Sequence, residues 1–195
     1  WRRHDVLAKA QQLLLRTGID HYTPGGNRFT FGYGYISSYP YGDFTAANKF
    51  PEHRLWQQFL TTQALGKAKL AHRYRLEQRW IGSSATSSMN GGRYENRIRY
   101  MAKITLAVAN ERKIPLFVAL YDEVMINFGK QVAYNIFDQN RLYGALGFSF
   151  SENLKLEVGY LYQLVQLRSL DGLNRNRIEN NHTLQLGLFS TVPFM

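Results

Sequence analysis

Arginine and glutamate recur in this chain at a spacing of two. Arg73, Arg75, Glu77 and Arg79 form one such run, and Arg93, Glu95, Arg97, Arg99, Met101 and Lys103 form another. Side chains two apart share one side of a β-strand, whereas a helix would scatter them around its circumference. Guanidinium forks and carboxylates gathered on one face can neutralise each other or hold an anion. Hydrolytic chemistry lacks its parts. A serine nucleophile on a strand needs a histidine beside it on the same face, and no His-x-Ser pair occurs. His182 has Leu184 two residues on, His72 has Leu70 and Tyr74 as same-face neighbours, and His21 and His53 also lack a serine there. Asp122 and Glu123 are adjacent, so a strand sends them to opposite faces. The five histidines stand in separate segments without i,i+2 or i,i+4 pairing. The expectation is therefore no catalytic residue, no metal site and no cofactor.

The elements that must position these charges are long alternating strands. Opposite the second arginine run lie Tyr94, Asn96, Ile98, Tyr100, Ala102 and Ile104, and later Leu154, Leu156, Val158, Tyr160 and Tyr162 alternate with Lys155, Glu157, Gly159, Leu161 and Gln163. The periodicity predicts a stub over 1–5 and strands over 9–22, 27–40, 50–63, 67–82, 93–109, 114–127, 138–150, 153–167 and 180–193. Tight turns fall at Thr23–Gly26, Ala64–Gly66, Asn110–Lys113 and Ser151–Glu152. Longer polar stretches fall between them, at Pro40–Lys49, Ser83–Gly92, Gly129–Phe137 and Arg168–Glu179. Short turns at one end and long loops at the other is the asymmetry of outer-membrane barrels. Several segments also exceed the ~9–11 residues a tilted strand needs to cross a bilayer, where soluble strands average about five or six. The expected fold is all-β: a closed antiparallel up-and-down transmembrane β-barrel of about ten strands, forming one domain over 1–195.

Composition agrees with this and excludes other classes. No run of 18 apolar residues exists, so no transmembrane helix is expected, and a mean hydropathy of −0.36 is compatible with alternating strands. The net charge of +10 comes without a Lys/Arg block or a nucleic-acid motif, so no nucleic-acid partner is expected. Arginines lining a barrel interior, or basic side chains meeting lipopolysaccharide phosphates, account for it. Cysteine is absent, which removes disulfides and thiolate metal sites. The opening Trp1-Arg2-Arg3-His4-Asp5 reads as mid-strand, with an incomplete first strand and a signal peptide expected upstream.

On the apolar face the aromatics sort by height. Tyr33, Tyr35, Trp80, Tyr94, Phe128, Tyr160 and Tyr162 gather toward the long-loop end. Phe29, Phe59, Phe148 and Phe150 gather toward the other. Two aromatic girdles are what membrane interfaces select. A sugar platform at Tyr33-Gly34-Tyr35 or Tyr160-Leu161-Tyr162 is the competing reading of those pairs.

The strings Gln11–Gly18, His72–Arg79, Tyr121-Asp122-Glu123, Phe137–Tyr143 and Leu156–Tyr160 resemble the DUF2490 family. The resemblance runs over nearly the whole chain with the motifs in order. It implies an outer-membrane β-barrel of the kind found in Bacteroidota, Gram-negative bacteria, and carries over no catalytic residue because the family has no established site. The chain ends Phe194-Met195, one position away from the terminal aromatic common in bacterial barrels.

Within a ten-stranded barrel, Arg16, Arg54, Arg73, Arg75, Arg79, Arg97, Arg99 and Arg141 share the lumen face with Glu52, Glu77, Glu123 and Glu157. So narrow a barrel leaves little open space, which favours a lumen plugged by ion pairs. A narrow anion or small-solute pore, or a lipid-binding barrel, is the alternative, and a barrel enzyme acting on lipid ranks below both. The expected role is structural or accessory within an outer-membrane assembly. The expected partners are membrane lipid, lipopolysaccharide and other outer-membrane proteins reached through the long loops. The aromatic loop Ser37–Lys49, with Tyr39, Pro40, Tyr41 and Phe44, is the candidate contact.

Overall fold

The computed structural model describes residues 2–4, 9–41, 45–109 and 114–191. Trp1, Asp5, Phe44, the turn Asn110–Lys113 and the terminal Phe194-Met195 therefore lie outside the described residues. Ten strands follow one another: β1 (Arg2–His4), β2 (Lys9–Tyr22), β3 (Arg28–Ser38), β4 (Phe50–Leu65), β5 (Ala68–Ser83), β6 (Ser88–Ala109), β7 (Leu116–Phe128), β8 (Phe137–Ser151), β9 (Leu154–Leu170) and β10 (Asn176–Ser190). They pair in sequence order, each antiparallel to the next, in a single sheet. This is the up-and-down meander that period-two alternation implies.

The sheet is strongly curled. Side chains on its concave face meet across intervening strands: Lys103 of β6 donates to Glu157 of β9 at 2.9 Å, and Arg2 of β1 to Gln163 of β9 at 3.2 Å. The pairings run from β1 to β10 without joining β10 to β1 among the described residues. The result is a half-barrel of nine long strands with a three-residue β1.

Two expected loops are shorter than their composition suggests. β6 begins at Ser88, so the stretch expected as a loop over Ser83–Gly92 is reduced to residues 84–87, and β9 and β10 extend until only 171–175 separates them. Polar, small residues such as Ser88 and Asn90 give no apolar alternation, yet their main-chain groups pair as well as any others. Asp171 closes the second turn, its carboxylate accepting from the backbone N–H of Leu173 and of Arg175 at 2.8 Å each. Those N–H groups, Arg175 foremost, hold its carboxyl below the usual aspartate range. At the opposite end, Gly66 adopts φ 60° in the two-residue turn between β4 and β5, a conformation that suits hairpin turns and costs glycine nothing.

Large side chains reach the concave face only where glycine makes room. The Trp56 ring lies over Gly32 of the neighbouring strand, where an added Cβ would meet the ring at 2.3 Å and the Thr17 carbonyl at 2.5 Å. Phe117 covers Gly147 in the same way. Gly34, one inward position along, has no atom within 3.4 Å of such a Cβ. Gly32→Ala is accordingly expected to destabilise the fold by about 1–3 kcal/mol through overpacking, read as a lower urea midpoint at unchanged slope. Gly34→Ala should shift the midpoint by less than about 0.5 kcal/mol. Equal effects would show that the glycine does not seat the indole.

Candidate functional site

The concave face carries its charges in a shared network. Glu77, fully buried, accepts from Arg97 Nε at 2.8 Å and Nη2 at 2.5 Å, and from Arg99 Nη1 at 2.8 Å. Arg54 and Arg75 stand 3.5 and 3.7 Å from the same carboxylate. Glu123 is held by Arg73 at 2.6 Å and by a fork from Arg99 at 2.9 Å on each arm. Glu52 receives Arg54 Nε at 2.9 Å and Arg79 Nε at 2.8 Å. Glu157 pairs with Lys103 and takes the Tyr143 hydroxyl at 3.3 Å. The strand register produces this arrangement: Arg54↔Arg79, Glu77↔Arg97, Arg75↔Arg99 and Glu123↔Arg141 face one another across successive ladders. Of the twelve residues expected in the charge network, Glu52, Arg54, Arg73, Arg75, Glu77, Arg79, Arg97, Arg99, Glu123 and Glu157 take part in these contacts.

The other two are not ion-paired. Arg16 is exposed and makes no salt bridge; its guanidinium carbon sits 5.6 Å from the centre of the Trp56 ring. Arg141 donates to Gln139 at 2.9 Å, and Gln139 in turn accepts from Gln163 at 2.6 Å. Both belong to the arginine-rich face but not to its Arg–carboxylate pairs.

Two further carboxylates join the network. Glu95, with no exposed surface, takes Arg93 at 2.7 Å and Arg168 from β9; spacing in the second arginine run already places it on this face, although it is not among the residues named for the lumen. Asp138 takes Arg97 Nη1 at 2.6 Å together with Asn127 and Gln139. Strict alternation from Gln139 and Arg141 would send Asp138 outward. The register shifts between Met125 and Ile126 of β7, opposite Gln139 and Phe137, and the bulged strand turns both Asp138 and Gln139 inward. Only the pairing partner reveals such a bulge.

The convex face is apolar and exposed. Ile98, Leu120, Leu142 and Leu146 are 44–52% exposed, and Leu184 and Leu186 73–80%. The expected girdle aromatics all lie here. Trp80 and Tyr94 pack at 5.2 Å beside the 84–87 turn, Phe128 is exposed at the end of β7, and Phe148 and Phe150 lie at the end of β8, just before the 152–153 turn. Tyr33 hydrogen-bonds His53 at 2.6 Å, with Tyr35 edge-on to the same ring, and Tyr160 hydrogen-bonds His182, which Tyr162 also packs against. His72 bonds Tyr100 at 2.8 Å. Three of the histidines thus serve as hydrogen-bond partners of tyrosines rather than as bases beside a nucleophile. One charge breaks the apolar band. Asp122, midway along β7, accepts from Asn140 at 2.5 Å beside a shallow depression of about 820 Å³ floored by Ala102 and Gly144. Among the described residues no cluster of His, Asp and Glu could hold a metal ion.

The chain belongs to the DUF2490 family: the family model described as "Protein of unknown function (DUF2490)" matches residues 1–174. Neither a curated protein nor a solved structure matches.

A buried network of this kind is costly to break from one side. Glu77→Gln leaves the guanidinium groups around it without their charge partner, and is expected to lower unfolding stability by about 3–5 kcal/mol. Asp20→Asn tests the opposite case. Its pair with Arg28 at 3.4 Å is about one-third exposed on both sides, so the loss should stay below about 1 kcal/mol. Denaturant unfolding followed by tryptophan emission checks both, and a small loss at Glu77 would mean that the network carries little of the fold's stability.

Proposed function

We propose that this chain is a β-barrel of a Gram-negative outer membrane, Bacteroidota-type, whose sheet closes through β1 and β10 around a lumen filled by the ion-pair network. In this reading it is a non-enzymatic structural or accessory subunit. One observation carries it: the polarity of the sheet is inverted relative to a water-soluble protein. Glu77, Glu95, Glu123, Arg97 and Arg99 are buried, while leucines and isoleucines of the opposite face stand exposed. Soluble proteins bury the second set and seldom leave an apolar surface so extensive uncovered. Lipid outside and paired charge inside make the same arrangement favourable. Strands β2 to β10, 11–22 residues long, support the reading because each is long enough to cross a bilayer at a tilt. The aromatics at both ends suit its interfaces, lipid and lipopolysaccharide being the immediate partners.

Asp122 favours an accessory role. A carboxylate halfway along a lipid-facing strand is unfavourable while its charge is unmet; Asn140 donates one hydrogen bond but no charge, and lipid chains offer neither. A membrane-embedded partner protein with a cationic side chain seated in the depression over Gly144 supplies that countercharge. The second reading, a narrow anion or small-solute pore or a lipid-binding barrel, has its own support in Arg16 and Arg141, which bond to no carboxylate.

The full chain refolded into lipid vesicles is expected to migrate faster on cold SDS gels before boiling than after it, as closed barrels do. Identical migration, with loss on a carbonate wash, would remove the membrane reading. In native membranes a stoichiometric companion should co-purify with the parent and be lost with Asp122→Leu. A clean monomer in both would remove the accessory role. Discrete conductance steps from the purified monomer in a planar bilayer would replace the filled lumen with the pore.

A further inference from the structure

We propose that the concave face around Trp56 binds a phosphate-bearing anion. The site is built by β2, β4 and β5 and needs only their described geometry, whether or not the sheet closes in a membrane. Arg75 is 5% exposed and lies over the Trp56 ring, 4.6 Å from its centre. Its hydrogen-bond acceptor is the neutral amide oxygen of Gln58 at 3.1 Å. The nearest carboxylate, Glu77, is 3.7 Å away and already carries the bonds of Arg97 and Arg99. Arg16 approaches the same ring and has no ion pair. Arg73 and Arg99 stand within electrostatic range of both Arg16 and Arg75.

Two buried donors accompany this excess of positive charge. Arg73 gives Nη2 to Glu123, but its Nε has no partner, and neither does Trp56 Nε1. Buried N–H groups without acceptors are rare and destabilising. Water could meet the hydrogen bonds but not the charge. A phosphoryl group brings several acceptor oxygens and one negative charge as a diester or close to two as a monoester or free phosphate, and suits guanidinium forks better than a single-point acceptor does. Arg16, the exposed member, gives the ligand its way in from solvent along β2.

The experiment uses the full chain in zwitterionic detergent with Trp1→Phe and Trp80→Phe, so that Trp56 is the one remaining tryptophan. Inorganic phosphate, short-chain phosphatidylglycerol below its micelle concentration and chloride are titrated separately at constant ionic strength. A saturable change in Trp56 emission with phosphate, at one phosphate per chain by equilibrium dialysis, supports a free phosphate as ligand. Saturation by phosphatidylglycerol alone supports a lipid headgroup as its source. Arg16→Gln, which breaks no ion pair, is expected to weaken binding at least tenfold and leave cold-gel migration unchanged. Trp56→Phe, which keeps an aromatic ring but loses the N–H, should weaken it by about threefold in dialysis. The proposal is overturned if phosphate and phosphatidylglycerol titrate no differently from chloride, or if Arg16→Gln binds as the parent does.

Discussion

The fold depends on a neutralisation constraint: a carboxylate removed from water must meet a cation that is also removed from water. Glu77 shows it most clearly. It is wholly buried, two arginines bond to it directly and two more stand within 4 Å. A single strand cannot supply such a set. Arg54 comes from β4, Arg75 from β5 with Glu77 itself, and Arg97 and Arg99 from β6. Satisfying one carboxylate therefore fixes the relative register of three strands. A slip of one residue would carry the whole set to the apolar face. Charge pairing here specifies register, a part that apolar packing plays in many sheets.

The curl of the sheet follows from the same requirement. Lys103 reaches Glu157, and Arg168 reaches Glu95, only because β6 and β9 turn toward each other across the concave side. Glycines opposite Trp56 and Phe117 let large inward side chains lie flat against the wall, so the interior fills without forcing the backbones apart. With most charged groups spent on one another inside, mainly aliphatic and aromatic side chains remain for the outside, Asp122 and its partner Asn140 being exceptions. The tyrosines there bring hydroxyl groups, and histidine neighbours take up three of them. The polarity of the two faces and the shape of the sheet are thus consequences of one arrangement.

Much of this was legible in the sequence, because a period of two is a strong signal when both faces are chemically distinct. The face of every arginine from Arg54 to Arg99 in the expected network follows from spacing alone. What spacing does not carry is the partner. Arg16 and Arg99 look alike in their runs, yet one holds two carboxylates and the other none, since the difference lies on strands far away in the chain. Asp138 was hidden by a bulge, and the early start of β6 by residues that pair through their backbones without an apolar signature. Family membership adds nothing about chemistry, the family being described as one of unknown function.

The most direct measurement asks which face meets lipid. The chain has no cysteine, so single cysteines carrying nitroxide spin labels report unambiguously in reconstituted vesicles. Labels at Leu120, Leu142 and Leu186 sample the convex face, and labels at Ala119 and Ala145 the concave one. An apolar exterior in lipid predicts that the first group collides with dissolved oxygen far more often than with a polar nickel chelate, and that the second group is protected from oxygen. Chelate collisions dominating at Leu120, Leu142 and Leu186 would place that face in water and contradict the account.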